Sequence, residues 1–235
     1  STYGKDKDRK TEIRSFHDIV ATKVVIRNTK LYVNREEGFI GTSLRKDEYI
    51  TDCSDIDDII VFRKDGKMIV SKVASKTFVG KDIIHIAIFK KKDTRTVYNM
   101  MYRDGKSGAS YMKRFAVTGV TRDKEYDLTT GKSNSLVHYF TANPNGEAEA
   151  VTVLLRAVGS IKKLKWDIDF SDLAVKGRGV RGNTITKFAI RKVEFKSSGV
   201  STLKPRKIWF DDAVQRLNVD ARGELLGEFR AEDKI

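Results

Sequence analysis

"DIIVFRKDGKMIVSKV", residues 58–73, decides the fold. Two short runs rich in Val, Ile and Phe flank a polar tip, and the tip centres on Asp65-Gly66. Asp-Gly is a strong hairpin turn signal, because the glycine accepts the positive φ that a tight turn between strands requires. Apolar side chains at this spacing argue for half-buried strands rather than a helix. Working outward, the same shape recurs as "KLYVNREEGFIGTSL", "VYNMMYRDGKSGASYMKRFAV", "LVHYFTANPNGEAEAVTVLL", "LAVKGRGVRGNTITKFAI" and "KIWFDDAVQRLNVDARGELLGEF". Gly38, Gly66, Gly105, Gly146, Gly182 and Gly223 serve as the tip glycines, 28 to 41 residues apart. A period near 40 residues built from short strands is the arithmetic of a propeller-like array, and an ordinary antiparallel sandwich is the competing reading. The best helix candidate is residues 5–16, and it is poor. Residues 1–20 read as a linker or the cut edge of a longer protein, 21–230 as one β domain, and 231–235 as an acidic tail.

The chain has 235 residues, 40% of them hydrophobic and 33% charged, enough for one large core or two small ones. No apolar run approaches a membrane span, and the start does not read as a signal, so no membrane is expected. One cysteine, Cys53, excludes an internal disulfide and fits a reducing cytoplasm. His17, His85 and His138 lie far apart without cysteine partners, so no metal site or cofactor is expected.

The net charge is +14. Its distribution is uneven: residues 156–207 hold fourteen Lys/Arg against four Asp/Glu, residues 89–124 ten against three, and residues 208–235 four against seven. Concentrated positive charge is the footprint of a polyanion partner, since each neutralised phosphate releases counterions. Within the first segment, "KGRGVRGN" at 176–183 alternates glycines with Lys176, Arg178 and Arg181. Glycines let backbone N–H groups approach a phosphate, and arginine forks match phosphate oxygens. The stretch lacks the Gly-Lys-Ser/Thr end of a Walker loop. It matches G-x-G-x-x-G at Gly177, Gly179 and Gly182, but a strand follows where a dinucleotide fingerprint needs a helix. Lys187, Arg191 and Lys192 extend the loop into a basic stripe along one blade. Lys90, Lys91, Lys92 and Arg95 form a second stripe. Arg103, Lys106, Lys113 and Arg114 form a third, with Tyr102, Tyr111 and Phe115 interleaved as the inward half of a strand, the alternative being platforms that stack the bases of a single strand. The expected partner is therefore double-stranded DNA, held by its backbone. Asp55, Asp57 and Asp58 read as a turn and strand cap, the alternative being the metal site of a hydrolase. No nucleophile elbow or Cys/His pair appears, so no catalytic residue is assigned.

These residues resemble the C-terminal domain of type IIA topoisomerase A subunits. "KLYVNREEGFIGTSL" is similar to that family's blade hairpin T-x-x-G-Y-I-K-R-T, and residues 55–73 to its companion L-L-F-F-T-x-x-G-R-V-Y-x-L-K-V. "KGRGVRG" resembles the gyrase box Q-R-R-G-G-K-G: Arg178, Gly179 and Gly182 match, Arg181 stands for lysine and Lys176 for glutamine, and Gly177 and Val180 depart. The resemblance covers about residues 12–230. It implies an all-β pinwheel of five or six blades whose basic rim bends DNA. The degenerate box favours a topoisomerase IV-like, decatenating protein over a supercoiling one and leaves the two open. The resemblance places the catalytic tyrosine in an upstream breakage–reunion core, so none of the eight tyrosines here is the nucleophile. The implied protein partners are that core and the B subunit of the topoisomerase, and a cytoplasmic, nucleoid-associated location follows. The rival function is a propeller-like protein-interaction scaffold with a solubilising basic surface.

Overall fold

A computed structural model of the chain describes residues 29–157, 159 and 161–230. The helix candidate at 5–16, the 1–20 linker and the 231–235 tail lie outside these residues. Nineteen strands follow one another along the described residues. The first seven are β1 (Thr29–Asn34), β2 (Phe39–Gly41), β3 (Glu48–Cys53), β4 (Asp58–Arg63), β5 (Lys67–Lys72), β6 (Thr77–Phe78) and β7 (Ile83–Phe89). Then come β8 (Val97–Arg103), β9 (Ser110–Ala116), β10 (Tyr126–Asp127), β11 (Leu136–Asn143), β12 (Ala150–Leu155) and β13 (Lys165–Asp169). The last six are β14 (Val175–Gly177), β15 (Asn183–Thr186), β16 (Ile190–Ser197), β17 (Arg206–Asp211), β18 (Arg216–Asn218) and β19 (Glu224–Phe229).

The strands form five sheets, ordered β3-β1-β2-β6, β10-β5-β4-β7, β11-β8-β9-β14 with β15 also on β9, β13-β12-β16, and β18-β17-β19. The all-β expectation holds, with five blades among the described residues. One construction rule generates them. Each blade starts with two strands, and a third pairs with the first of these. In the first three blades the edge of the second strand is closed by a strand that comes from beyond the next blade's opening pair. Thus β6 closes β2, β10 closes β5, and β14 with β15 closes β9. Neighbouring blades are therefore interlocked through the backbone as well as by packing.

Packing between blades explains the core. Ile59 and Val61 of β4 face Leu31, Val33 and Ile40 of the first sheet. Ile60 and Phe62, on the opposite face of the same strand, meet Tyr98, Met100, Tyr102 and Phe115 of the third sheet. Met101 of β8 then turns the other way, toward Val151, Val153 and Phe170 beside the fourth sheet. Alternate side chains of one strand thus serve two different cores, as the period of two in a strand dictates. This corrects the half-buried reading for β4 and β8, which are buried along both faces. The fifth sheet contributes no residue to any of the three clusters.

All six tip glycines adopt positive φ, from 69° to 95°. Three of the six proposed hairpins form as read, namely β1–β2, β4–β5 and β8–β9. The other three are corrected. Gly146 lies on a crossover, because β11 belongs to the third sheet and β12 to the fourth. Gly182 lies between two strands that both pair with β9 rather than with each other. Gly223 precedes β19, while the β17–β18 hairpin turns at residues 212–215.

Candidate nucleic-acid interface

The basic loop is stitched to one strand at both ends. On its N-terminal side, Val175, Lys176 and Gly177 run parallel to Arg114, Phe115 and Ala116. On its C-terminal side, Asn183 and Thr184 run antiparallel to Met112 and Tyr111. The intervening residues arch over Lys113. The Lys113 ammonium donates to the carbonyl oxygens of Leu128 at 2.5 Å, Arg178 at 2.6 Å and Val180 at 3.1 Å. It also lies 4.8 Å from the centre of the Phe115 ring. The Tyr102 hydroxyl donates to the carbonyl of Arg181. The loop therefore turns carbonyls inward around a buried cation. Gly182 is the glycine that the geometry requires: its φ is 95°, and a Cβ there would collide with the carbonyl oxygen of Met112. Gly177 and Gly179 have open space around them.

Burial pushes the Lys113 amine down to about 7. The three carbonyls and the ring face oppose that trend, since each interacts favourably with the ammonium.

The inward carbonyls leave the loop's side chains to the outside. The Arg178 guanidinium stacks 4.3 Å from the centre of the Tyr126 ring and donates from Nη1 to the Gly119 carbonyl at 2.7 Å. Arg181 lies 5.0 Å from the centre of the Tyr111 ring. Lys124 shares Tyr126, at 5.5 Å. An aromatic ring that holds a guanidinium by its face leaves the in-plane N–H groups free for phosphate oxygens. Tyr111, read from sequence as part of an inward strand face, is half-buried and carries an arginine. Tyr126 and Lys124 were not singled out from sequence. Nothing in "RDKEYD" signals that β10 closes the second sheet beside the loop.

The ten proposed DNA contacts separate by exposure. Lys176, Arg181, Lys187, Arg191, Lys192 and Lys106 are exposed, and Arg178 and Arg103 are half-buried. Lys113 and Arg114 are buried, at 4% and 1% exposure, and this corrects their reading as rim cations. Arg114 donates to Asn99 Oδ1, Thr202 Oγ1 and the Gly146 carbonyl, each at 2.9 Å, and to the Glu147 carbonyl at 3.1 Å. Asn99 in turn donates to Glu149 Oε2 at 2.7 Å. This network ties β8 and β9 to the turn leading into the fourth sheet. A charge is tolerated in such a site because each of the three guanidinium nitrogens has a partner.

The stripes are corrected as well. The loop belongs to the third sheet, whereas Arg191 and Lys192 lie on β16 in the fourth, so the first stripe spans two blades. Lys192 pairs with Glu194 at 3.0 Å. In the third stripe, Arg103 folds onto the tip carbonyls of Gly105 and Asn134 at 2.8 and 3.2 Å. Lys113 and Arg114 leave β9 on opposite faces, as adjacent strand residues must. In the second stripe, Lys90, Lys91 and Lys92 are exposed and Arg95 is half-buried, donating to the Lys204 carbonyl at 2.9 Å.

The acidic cluster forms a turn. Asp57 accepts from the Ser54 backbone N–H at 2.9 Å, Asp55 accepts from the Ser54 hydroxyl at 3.0 Å, and Asp58 pairs with Arg122 at 2.7 Å. Among the described residues, no group of three or more His, Cys, Asp or Glu could hold a metal ion. His85 and His138 are both pushed down to about 4 by burial, with Arg35 and Arg103 respectively adding to the effect. No helix among the described residues is long and apolar enough to cross a membrane.

A chain of short antiparallel blades with a basic loop between them has counterparts among known proteins. The family described as the topoisomerase C-terminal domain of Bacteroidota matches residues 30–197, and the chain belongs to it. More particularly, the chain is similar to the A subunit of DNA topoisomerase 4 from Borreliella burgdorferi, at 27% identity over 195 residues, 83% of this chain. It spans 29% of that protein's length. Among solved structures, a crystal structure of the C-terminal domain of DNA topoisomerase IV aligns with a TM-score of 0.47 and 11% identity. That alignment covers 87% of this chain and 78% of the other.

Proposed function

We propose that residues 21–230 form a non-catalytic domain that binds and bends duplex DNA, as part of a type IIA topoisomerase A subunit. The carrying observation is the loop at 176–183, where Arg178 and Arg181 are held against Tyr126 and Tyr111. Lys176, Lys187, Arg191, Lys192 and Lys106 are exposed cations that would contact further phosphates, with Arg103 at the β8–β9 tip in a lesser role. Binding would be electrostatic and weakly sequence-specific, and the contacts would offset a bending cost of roughly 1–6 kcal/mol for a 20–30 bp site. In the whole protein the domain would present DNA to an upstream breakage–reunion core working with the B subunit, in the cytoplasm at the nucleoid. A topoisomerase IV-like role suits the degenerate loop motif.

The test is a bending and salt-titration assay on duplexes of increasing length. Binding should tighten with length, bend the DNA and fall steeply with salt, and Arg178→Ala/Arg181→Ala should weaken it by at least tenfold. Unchanged binding by the double variant would remove the loop from the interface. The scaffold reading draws on the exposed Val214, Leu217, Val219, Leu225 and Leu226 near and on the fifth sheet. It predicts DNA binding no stronger than that of any equally charged polycation, without bending.

A further inference from the structure

We infer that Lys113 is a positioning residue for the DNA interface: it touches no DNA and sets the conformation from which Arg178 and Arg181 do. The inference rests on the DNA-binding reading above. Four observations carry it. First, Lys113 is buried, so its charge is not available to a phosphate at the surface. Second, its ammonium joins three segments distant in sequence, β9 through its own backbone, the segment after β10 through Leu128, and the basic loop through Arg178 and Val180. Third, two of its three acceptors are backbone carbonyls of the loop, and one belongs to Arg178 itself. Fixing that carbonyl fixes the direction in which the Arg178 side chain leaves the chain. Fourth, the Tyr102 hydroxyl holds the carbonyl of Arg181, so both arginines are pinned by their backbones and stacked by their side chains.

The loop itself needs such a clamp. Gly177, Gly179 and Gly182 give it wide backbone freedom, and residues 178–182 lie outside any strand. Without the clamp, the two arginines would leave Tyr126 and Tyr111 and sample many directions. The entropy lost in ordering them would then oppose DNA binding. A buried lysine donating three hydrogen bonds to carbonyls pre-orders the loop before DNA arrives. A cation here also turns the loop's acceptors away from the phosphate side, where inward N–H groups would have left carbonyls facing an anion.

The experiment uses the 235-residue chain and a fluorescently labelled duplex of about 30 bp, a length at which bending is measurable, with affinity read by anisotropy across a salt titration. Four proteins are compared: wild type, Lys113→Met, Arg178→Ala/Arg181→Ala, and the triple variant. Lys113→Met should weaken binding about tenfold and lower the salt slope as the double variant does. The triple variant should bind no more weakly than the double, because the lysine acts only through the arginines. Amide hydrogen exchange of residues 178–182 without DNA should quicken at least tenfold in Lys113→Met, while β4 and β8 stay protected. If Lys113→Met does not fold, Lys113→Gln, which keeps a shorter donor, is measured in its place with about threefold weakening expected.

Four outcomes overturn the inference. A wild type that does not bind the duplex sinks it together with the DNA reading. Lys113→Met binding like wild type while the double variant is weakened sinks the positioning role alone. A triple variant weaker than the double by the full Lys113→Met factor shows a contact or general damage independent of the arginines. Unaltered exchange in the loop shows that the lysine is not its clamp.

Discussion

Phe62 and Phe210 sit in comparable strands and meet opposite fates. Each is the fifth residue of the strand that opens its blade, preceded by a run of apolar residues, "IIV" before Phe62 and "IW" before Phe210. Phe62 is fully buried, with the Tyr98 and Phe140 rings 4.6 and 4.7 Å from its centre. Phe210 is half-buried in a sheet that joins no core cluster. The second sheet has a packed neighbour on each face and a borrowed strand at its edge. The fifth has neither among the described residues. The local pattern makes a strand, but a packed face on either side makes it a core.

This contrast sets the order of the predictions. Phe62→Ala should be among the most damaging changes, costing about 3–5 kcal/mol in denaturant unfolding, because the cavity opens between two interlocked blades. A loss under about 1 kcal/mol would mean that the blades pack loosely. Arg114→Met should cost a similar ~3–5 kcal/mol, since it leaves the buried Asn99 Oδ1 without a donor and the buried Glu149 carboxylate without its neighbouring cation. Acid should act at the same blades through His85 and His138. Each folded-state value is near 4 against an ordinary 6.5, so the unfolded chain takes up protons that the folded chain refuses. Their contribution is present above pH 6.5 and is lost as pH falls from 6.5 toward 4. The loss should be about 1–3 kcal/mol for His85 and less for the more weakly buried His138. Thermal melts of His85→Phe and His138→Phe should show a shallower acid limb. Phe210→Ala, the counterpart of the first change, should cost less than about 1 kcal/mol, and a loss equal to that of Phe62→Ala would show the fifth sheet to be packed in solution. The smallest stability effect, within about 0.5 kcal/mol, should come from Arg178→Ala/Arg181→Ala, which leaves every core contact in place.

A second contrast runs between cations. Lys113 and Arg114 look in sequence like Arg178 and Arg181: basic, clustered and flanked by aromatic or small residues. The first pair lies on β9 with a sheet on either side and is used to tie blades and loop together. The second pair lies on an arch beyond the end of β14 and points outward. "YMKRFA" could have been suspected, because it is the interior of an alternating strand between Tyr111 and Phe115, where solvent exposure of two successive cations needs both faces open. That requirement is visible in the sequence, but whether it is met is not.

Strands, tip glycines, the recurring strand–tip–strand shape and the uneven positive charge were determined by the sequence alone, because each rests on local chemistry: side-chain period, the steric freedom of glycine and the count of ionised groups. Pairing beyond the three hairpins β1–β2, β4–β5 and β8–β9 was decided only by tertiary structure. β6, β10, β14 and β15 close blades other than the ones beside them in sequence, and a short polar strand gives no local sign of its partner. The proposed DNA face inherits that dependence. Loop 176–183 announces its charge in its letters, but which of its groups faces outward is set by a lysine more than sixty residues earlier, brought beneath it by the fold.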